Sequence, residues 1–151
     1  MTDLTIRKMQ HADINGVMEV EAQAFVAPWP RDIFEHELTH NAYAYYYVMF
    51  AGEQLIGYAG MWQVIDDAQI TNITVIPAFR GQKLGETLFS YVMHDAYRMG
   101  AKRLSLEVRV SNIVAQKMYR KFGLVPGGIR KNYYTDNQED AMVMWVNLYD
   151  E

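Results

Sequence analysis

No cysteine occurs among the 151 residues of this chain. Its absence excludes disulfide bonds and catalysis by a cysteine thiolate, and a zinc site would have to use other ligands. It also fits a reducing compartment, where disulfides are rare. No uncharged apolar run is long enough to span a bilayer, and the stretch MTDLTIRKMQHADING has no apolar core of signal-peptide length. We therefore expect a soluble, cytoplasmic protein with no membrane partner.

The chain also lacks an excess of basic residues: it has 14 Lys and Arg residues and 18 Asp and Glu residues, for a formal charge of −4. A protein that binds a nucleic-acid backbone needs a basic surface, so the composition argues against a nucleic-acid partner. The tyrosines of YAYYYVMF resemble a platform for stacking bases, but alternate aromatic residues in a strand usually pack in a core. The negative charge suits a cationic ligand, such as a basic peptide, slightly better.

The apolar spacing and the turn residues predict one domain, residues 1–151, with the element order β-α-α-β-β-β-α-β-α-β-β. Asp13 is predicted to cap the first helix and Pro30 to open the second. Gly100 and Gly123 stand where the third and fourth helices should end. This order indicates an α/β fold, a mixed sheet with helices on its faces. The third helix should form a right-handed crossover between two parallel strands.

The stretch ITVIPAFRGQKLGETLF, residues 73–89, joins a β-branched strand to an amphipathic helix through RGQKLG. The first N–H groups of a helix lack internal partners and, with the helix dipole, favour an anion. Gly81 and Gly85 let a ligand approach the backbone, and Arg80 and Lys83 add positive charge. Taken alone, a tight turn is the simpler interpretation, because short glycine motifs are weak indicators of function.

RGQKLG resembles the acetyl-CoA pyrophosphate loop of the GCN5-related N-acetyltransferases (GNAT), whose pattern reads Gln/Arg-x-x-Gly-x-Gly/Ala. Arg80 and Gly85 match this pattern, while Lys83 stands where the family most often has its first glycine. We expect Lys83 at ordinary helical φ, where lysine costs nothing and its ammonium can reach a phosphate.

By this resemblance the loop surrounds the pyrophosphate, and the strand before it offers backbone groups to the acetyl-pantetheine arm. The cofactor-binding residues so implied are Ile73, Thr74, Val75, Arg80, Gly81, Gln82, Lys83, Leu84, Gly85 and Glu86. For Ile73, Thr74 and Val75, plain strand core is the alternative, and both can hold.

Three residues of LEVRVSNIVAQKMYRKFGL are candidates for catalysis. Taken singly, Glu107 is most simply a surface charge, Asn112 a helix N-cap and Tyr119 a packed aromatic. The segment closely resembles the RimI-type acetyltransferases, which acetylate the N-terminal alanine of a small-subunit ribosomal protein. AFVAPWPRDIF and GGIRKNYYTDNQEDAMVMWV are similar as well, so nearly the whole chain is covered. The resemblance implies that Glu107 is the general base, Tyr119 the general acid and Asn112 a cofactor contact.

The same resemblance implies the GNAT fold, a central mixed, mostly antiparallel sheet with about four helices, and acetyl-CoA as co-substrate. The acceptor would be the N-terminal segment of a ribosomal protein, attacking directly in a ternary complex, since no cysteine exists to carry an acyl group. We place the acceptor groove between APWPRDIF and RKNYYTDNQ, lined by Trp29, Tyr133 and Tyr134. Other acceptors (different protein N-termini, lysine or a small amine) and a CoA-binding module without transferase activity remain alternatives.

HELTH, residues 36–40, matches the zinc-peptidase signature H-E-x-x-H. On a helix, His36 and His40 could share a metal with Glu37 as base. The predicted helix is short, and the tyrosine-rich strand after it brings no third histidine. We therefore expect no metal, and zinc hydrolysis is a remote alternative.

Overall fold

The computed structural model describes residues 3–25 and 28–148, in which the predicted order of elements is confirmed. The strands are β1 (Leu4–Lys8), β2 (Ala44–Ala51), β3 (Gln54–Val64), β4 (Asp67–Val75), β5 (Arg103–Arg109), β6 (Val125–Arg130) and β7 (Ala141–Asn147). The helices are α1 (Ile14–Ala24), α2 (Arg31–His40), α3 (Leu84–Arg98) and α4 (Ile113–Lys121), with short 3-10 turns at His11–Asp13 and Pro77–Phe79. No helix in the described ranges has both the length and the apolar character needed to cross a bilayer.

The strands form one seven-stranded sheet in the order β1-β2-β3-β4-β5-β7-β6. Among the strands of the described residues, only β4 and β5 run parallel, and α3 makes the crossover between them; the other neighbours are antiparallel. The predicted mixed, mostly antiparallel sheet is therefore confirmed.

Two successive tyrosines of β2 show how both faces of the sheet are covered. Adjacent residues of a strand point to opposite faces. Tyr46 packs edge-on against Phe34 of α2, whereas the hydroxyl of Tyr47 donates to Asp95 of α3. Both tyrosines are buried. Helices α2 and α3 therefore lie on opposite faces, and these tyrosines are core residues, as the strand pattern indicated.

The helix ends agree with the predictions at glycine but not at Asp13. Gly100 and Gly123 lie two residues after the last residues of α3 and α4, with φ values of 93° and 91°, a conformation that glycine adopts at little cost. Asp13, in contrast, makes no side-chain cap on α1. Its carboxylate accepts from the Gln10 N–H at 2.7 Å and from Arg7 at 2.8 and 2.9 Å. The Asp13 carboxylate, which could have capped α1, is therefore engaged by the backbone of the preceding turn and by Arg7.

Candidate active site

The sheet opens between its two parallel strands. The pairing of β4 with β5 covers three residue pairs and stops at Gln69 and Ser105. Both strands continue beyond that point, β4 to Val75 and β5 to Arg109. On its far side β5 stays paired with β7 along its length. The last residues of β4 therefore keep backbone groups on one edge that are available to a ligand.

A cleft of about 1280 Å³ lies at this opening. Its walls come from the end of β4, the loop into α3, helix α4, the α1–α2 connection and the loop between β6 and β7. Eleven of the thirteen predicted site residues line it: Ile73, Thr74, Val75, Arg80, Gly81, Lys83, Leu84, Gly85, Glu86, Asn112 and Tyr119. Gln82, within the exposed loop, and Glu107, on β5, are not among the lining residues.

The loop into α3 differs from the prediction at Lys83. Lys83 has φ 61° and ψ 21°, in the left-handed region, so the expectation of ordinary helical φ is wrong. The reason lies in the path of the chain. Gly81 is also left-handed, with φ 81°, and Lys83 is the last residue before helix α3, which starts at Leu84, so the loop turns sharply at both positions. A lysine in this conformation is strained by about 1–2 kcal/mol. The position is one where glycine would be accommodated without strain.

The N-terminus of α3 has the features of an anion site. The N–H groups of Leu84, Gly85 and Glu86 have no acceptor within the helix, because they belong to its first turn. No side chain caps this end, and the three residues line the cleft. A Cβ added to Gly85 would come no closer than 3.8 Å to its nearest neighbour, Met118 Sδ. Packing therefore does not require glycine at this position, and the missing side chain leaves room for a ligand at the helix end. This arrangement fits the diphosphate of CoA.

Two charged residues near the start of α3, one in the loop and one in the first turn, have partners within the protein. Arg80 donates from Nε to the carbonyl oxygen of Val75 at 3.0 Å, which ties the loop to the end of β4. The Glu86 carboxylate accepts from Lys121 Nζ at 2.7 Å, and this hydrogen bond lowers the Glu86 pKa. The ion pair offsets a negative charge that would otherwise repel a phosphate.

The two remaining predicted site residues that line the cleft, Asn112 and Tyr119, lie at the N-cap and within α4. Asn112 Oδ1 accepts from the Ala115 N–H at 3.1 Å, so Asn112 is the N-cap of α4. Tyr119 is 6% exposed and packs on Phe89 with ring centroids 5.1 Å apart. Burial, and secondarily the neighbouring Tyr134, raises the pKa of the Tyr119 hydroxyl. Both residues thus have the structural roles that were the simpler interpretations, and both also face the cleft.

Glu107 is not the solvated surface charge that was its simpler interpretation. Its side chain is only 10% exposed. The carboxylate accepts from Gln69 Nε2 at 3.1 Å, and it forms an ion pair with Arg130, whose Nε lies 3.1 Å from Oε1. Its charge, second to burial, raises the pKa of Tyr133. Glu107 therefore lies between β4, the end of β6 and the first residues of the β6–β7 loop.

The residues predicted to line an acceptor groove lie on two sides of the same region. Trp29 and Tyr134 both line the cleft, whereas Tyr133 does not and packs edge-on against Tyr134 at 5.2 Å. Burial raises the pKa of Tyr134 to about 12. Part of the segment AFVAPWPRDIF, residues 26 and 27, lies outside the described residues. The groove itself stays a prediction.

Several polar residues around this region were missed from the sequence. Gln69 and Arg130 contact Glu107, while Arg109 holds the β6–β7 loop through Asp136 and Glu139. For Arg109 a signal existed, because strand alternation places it on the same face as Glu107. Gln69, Asp136 and Glu139 carry no local signal, since their roles depend on contacts between distant segments.

The H-E-x-x-H match has a different role in the structure. Glu37 is 6% exposed, and its Oε1 accepts from the Tyr46 hydroxyl at 2.9 Å and from Trp62 Nε1 at 2.7 Å. Its Oε2 accepts from Asn41 Nδ2 at 2.7 Å. The carboxylate is therefore turned into the core, where three side-chain donors hold it. Across residues 3–25 and 28–148, no three His, Asp or Glu side chains are grouped to hold a metal.

Comparison with known proteins agrees with this geometry. The acetyltransferase (GNAT) family matches residues 14–124. A Bacillus subtilis relative with the provisional name [ribosomal protein bS18]-alanine N-acetyltransferase is 55% identical, over 97% of both chains. The Escherichia coli K12 protein named [ribosomal protein bS18]-alanine N-acetyltransferase is 31% identical over 93% of this chain and 95% of its own.

Solved structures show the same architecture. The crystal structure of the ribosomal-protein-S18-alanine N-acetyltransferase from Escherichia coli superposes with a TM-score of 0.90 at 28% identity, covering 99% of this chain and 96% of that one. Ard1 from Thermoplasma volcanium shares the fold, with a TM-score of 0.86 at 22% identity, over 97% of this chain and 99% of that one. The chain belongs to the GNAT acetyltransferase family, which confirms the resemblance and the fold class inferred from the sequence.

Proposed function

We propose that this protein is an acetyl-CoA-dependent N-α-acetyltransferase that acetylates the N-terminal alanine of ribosomal protein bS18 in the cytoplasm. The observation that carries the proposal is the opening between β4 and β5, with an uncapped helix end at one side and Tyr119 in the same cleft. The names of the two relatives, at 55% and 31% identity over nearly the whole chain, support the choice of acceptor.

Acetyl-CoA would bind with its diphosphate at the N-terminus of α3 and its pantetheine arm along β4. The free N–H groups from Leu84 to Glu86 would donate to the phosphates, and Lys83 would add charge. The edge of Ile73–Val75 that β5 leaves unpaired would hydrogen-bond the amides of the arm, as a further strand would. Gln82 would contact the diphosphate from the exposed side of the loop, and Asn112 would approach the cofactor from α4.

Glu107 would act as general base towards the acceptor amine. An α-amine has a pKa near 8, so about a tenth of it is already neutral at pH 7, whereas a lysine near 10.4 is about 0.04% neutral. The difference of about 2.4 pKa units corresponds to about 3.3 kcal/mol. One carboxylate, acting directly or through a water, is therefore a more adequate base for a protein N-terminus than for a lysine.

Tyr119 would act as general acid towards the departing CoA thiolate. Proton transfer from an ordinary phenol, with pKa about 10, to a thiolate near 8.5 is uphill by about 2 kcal/mol. Burial raises the pKa of Tyr119 further, which makes early transfer less favourable. Tyr119 would therefore first donate a hydrogen bond to the developing negative charge and complete the proton transfer late.

A panel of short peptides tests this function. Wild-type protein and acetyl-CoA are incubated with peptides that differ only in the first residue and in whether the α-amine is blocked. We expect acetylation of the peptide with a free N-terminal alanine and none of its blocked counterpart, even when it contains a lysine. Acetylation of the lysine alone would show that the acceptor is a lysine and not a protein N-terminus. Binding of acetyl-CoA without any transfer would show that the protein is a CoA-binding module without transferase activity.

Two substitutions test the assigned roles. Tyr119→Phe should lower kcat more than acetyl-CoA affinity, and Glu107→Gln should lower kcat most severely near neutral pH. Tyr91→Phe, in α3, and Glu53→Gln, in the exposed turn after β2, are matched controls outside the cleft lining. Unchanged turnover in either test variant would remove the role of that residue.

A further inference from the structure

The loop between β6 and β7, residues 131–140, is held by one arginine. The guanidinium of Arg109 donates to both oxygens of Asp136, at 3.0 and 2.9 Å. It also donates to Glu139 Oε1 and to Asn137 Oδ1, each at 3.2 Å. Its central carbon lies 4.0 Å from the centroid of the Tyr134 ring. Arg109 thus contacts four residues of this loop through charge, hydrogen bonding and ring stacking.

A second set of bonds continues from the loop into the turn that precedes α4. Glu139 Oε2 accepts from the Ser111 N–H at 2.8 Å, while its Oε1 accepts from Arg109. The Val110 N–H donates to the carbonyl oxygen of Asp140 at 3.2 Å. The loop is therefore fixed to the end of β5 and to the start of the helix that carries Tyr119.

This anchored loop forms part of the cleft wall. The same cleft that the loop into α3 lines is also lined by Tyr134, Thr135, Asp136, Asn137 and Glu139. Arg109 itself lines the cleft, but none of its hydrogen bonds reaches residues 80–86. An arginine that holds several partners in a planar fork fixes their relative positions better than a single surface ion pair does.

We infer that Arg109 is a positioning residue for the acceptor peptide. Through residues 134–139 it sets the cleft wall against which the acceptor's N-terminal segment lies, and so places the α-amine near Glu107, two residues earlier on the same strand face. The inference rests on the proposed function, because it requires a peptide acceptor. It assigns Arg109 no contact with acetyl-CoA and no share in the proton transfers.

Kinetics of Arg109→Gln, with the peptide that the wild type accepts best, test this inference. We expect the peptide KM to rise about tenfold, equivalent to about 1.4 kcal/mol, while the acetyl-CoA Kd changes less than about twofold. Arg109→Lys should rescue only part of the loss, because lysine keeps the charge but not the fork. Amide hydrogen exchange of residues 131–140 should be faster in Arg109→Gln.

Arg7→Gln is a matched control. Arg7 also forms a two-bond pair with an aspartate, Asp13, and lies 5.0 Å from the Phe50 ring centroid, but these residues do not line the cleft. It should lose stability without a change in peptide KM. Wild-type turnover combined with an unchanged peptide KM in Arg109→Gln would overturn the inference alone, as would an equal loss of acetyl-CoA affinity. A wild type that acetylates no peptide would instead overturn the proposed function, and the acceptor role with it.

Discussion

Replacing Lys83 by glycine tests whether the loop before α3 is strained. Lys83 has φ 61° and ψ 21°, where a Cβ crowds the following carbonyl at a cost of about 1–2 kcal/mol. Glycine removes this cost but gives the unfolded chain more freedom, which offsets about 0.4–1 kcal/mol. We expect Lys83→Gly to raise the free energy of unfolding by about 0.5–1 kcal/mol.

Lys83→Ala is the control that separates backbone strain from charge. Alanine keeps the Cβ and therefore the strain, but it removes the ammonium. The glycine variant should exceed the alanine variant in stability, the reverse of their usual order within helices, where glycine is worse by about 1 kcal/mol. Both variants should weaken acetyl-CoA binding by up to about fivefold, because one exposed charge contributes at most about 1 kcal/mol.

Urea unfolding at 25 °C followed by circular dichroism measures the stabilities, and titration calorimetry measures acetyl-CoA affinity. In a chain of 151 residues, each kcal/mol should also shift Tm by about 2–4 °C. An alanine variant as stable as the glycine variant would refute the strain argument. A large gain in acetyl-CoA affinity in Lys83→Gly would refute the expected contribution of the lysine charge.

Three further predictions concern the core and its charges. Gly60→Ala should lower the free energy of unfolding by about 1–3 kcal/mol, because the added Cβ would overlap the buried Tyr46 ring; urea unfolding measures the loss. Glu37→Gln should lower the free energy of unfolding by about 1–3 kcal/mol, because an amide N–H₂ would face donors that now point at a carboxylate; urea unfolding measures the loss. The wild type should release no zinc on mild chelation. The hydrogen bond from Arg7 lowers the pKa of Asp13 below its ordinary value of 3.8, so its stabilising contribution is present above about pH 4 and is lost as the pH falls through the folded-state value. Asp13→Asn should flatten the acid side of the stability–pH curve, measured by thermal unfolding.

The outcomes that contradict these predictions are distinct. Wild-type stability in Gly60→Ala would mean that the sheet relaxes around the new methyl group. Release of bound zinc from the wild type on mild chelation would restore the zinc interpretation of HELTH. An acid profile of Asp13→Asn with the same slope as wild type would show that Arg7 does not stabilise the carboxylate.

Much of the candidate site could be predicted because its residues follow one another along the chain. The loop into α3 directly follows a strand and directly precedes a helix, so its glycines and the first turn of α3 are visible as a local pattern in the sequence. The same is true of Asn112 and Gly123 at the two ends of α4. In contrast, the carboxylate of Glu107 contacts Gln69 and Arg130, which no local pattern associates with it.

The sequence by itself determined the order and type of the elements, because the spacing of apolar residues, proline and glycine acts on neighbours a few positions apart. Tertiary structure decided how far β4 and β5 stay paired, which way Glu37 turns and which side chains Arg109 holds. It also decided the left-handed conformation of Lys83. The physical reason is that each of these depends on free energies shared between segments distant in sequence, where packing and buried hydrogen bonds outweigh the local preferences of a residue.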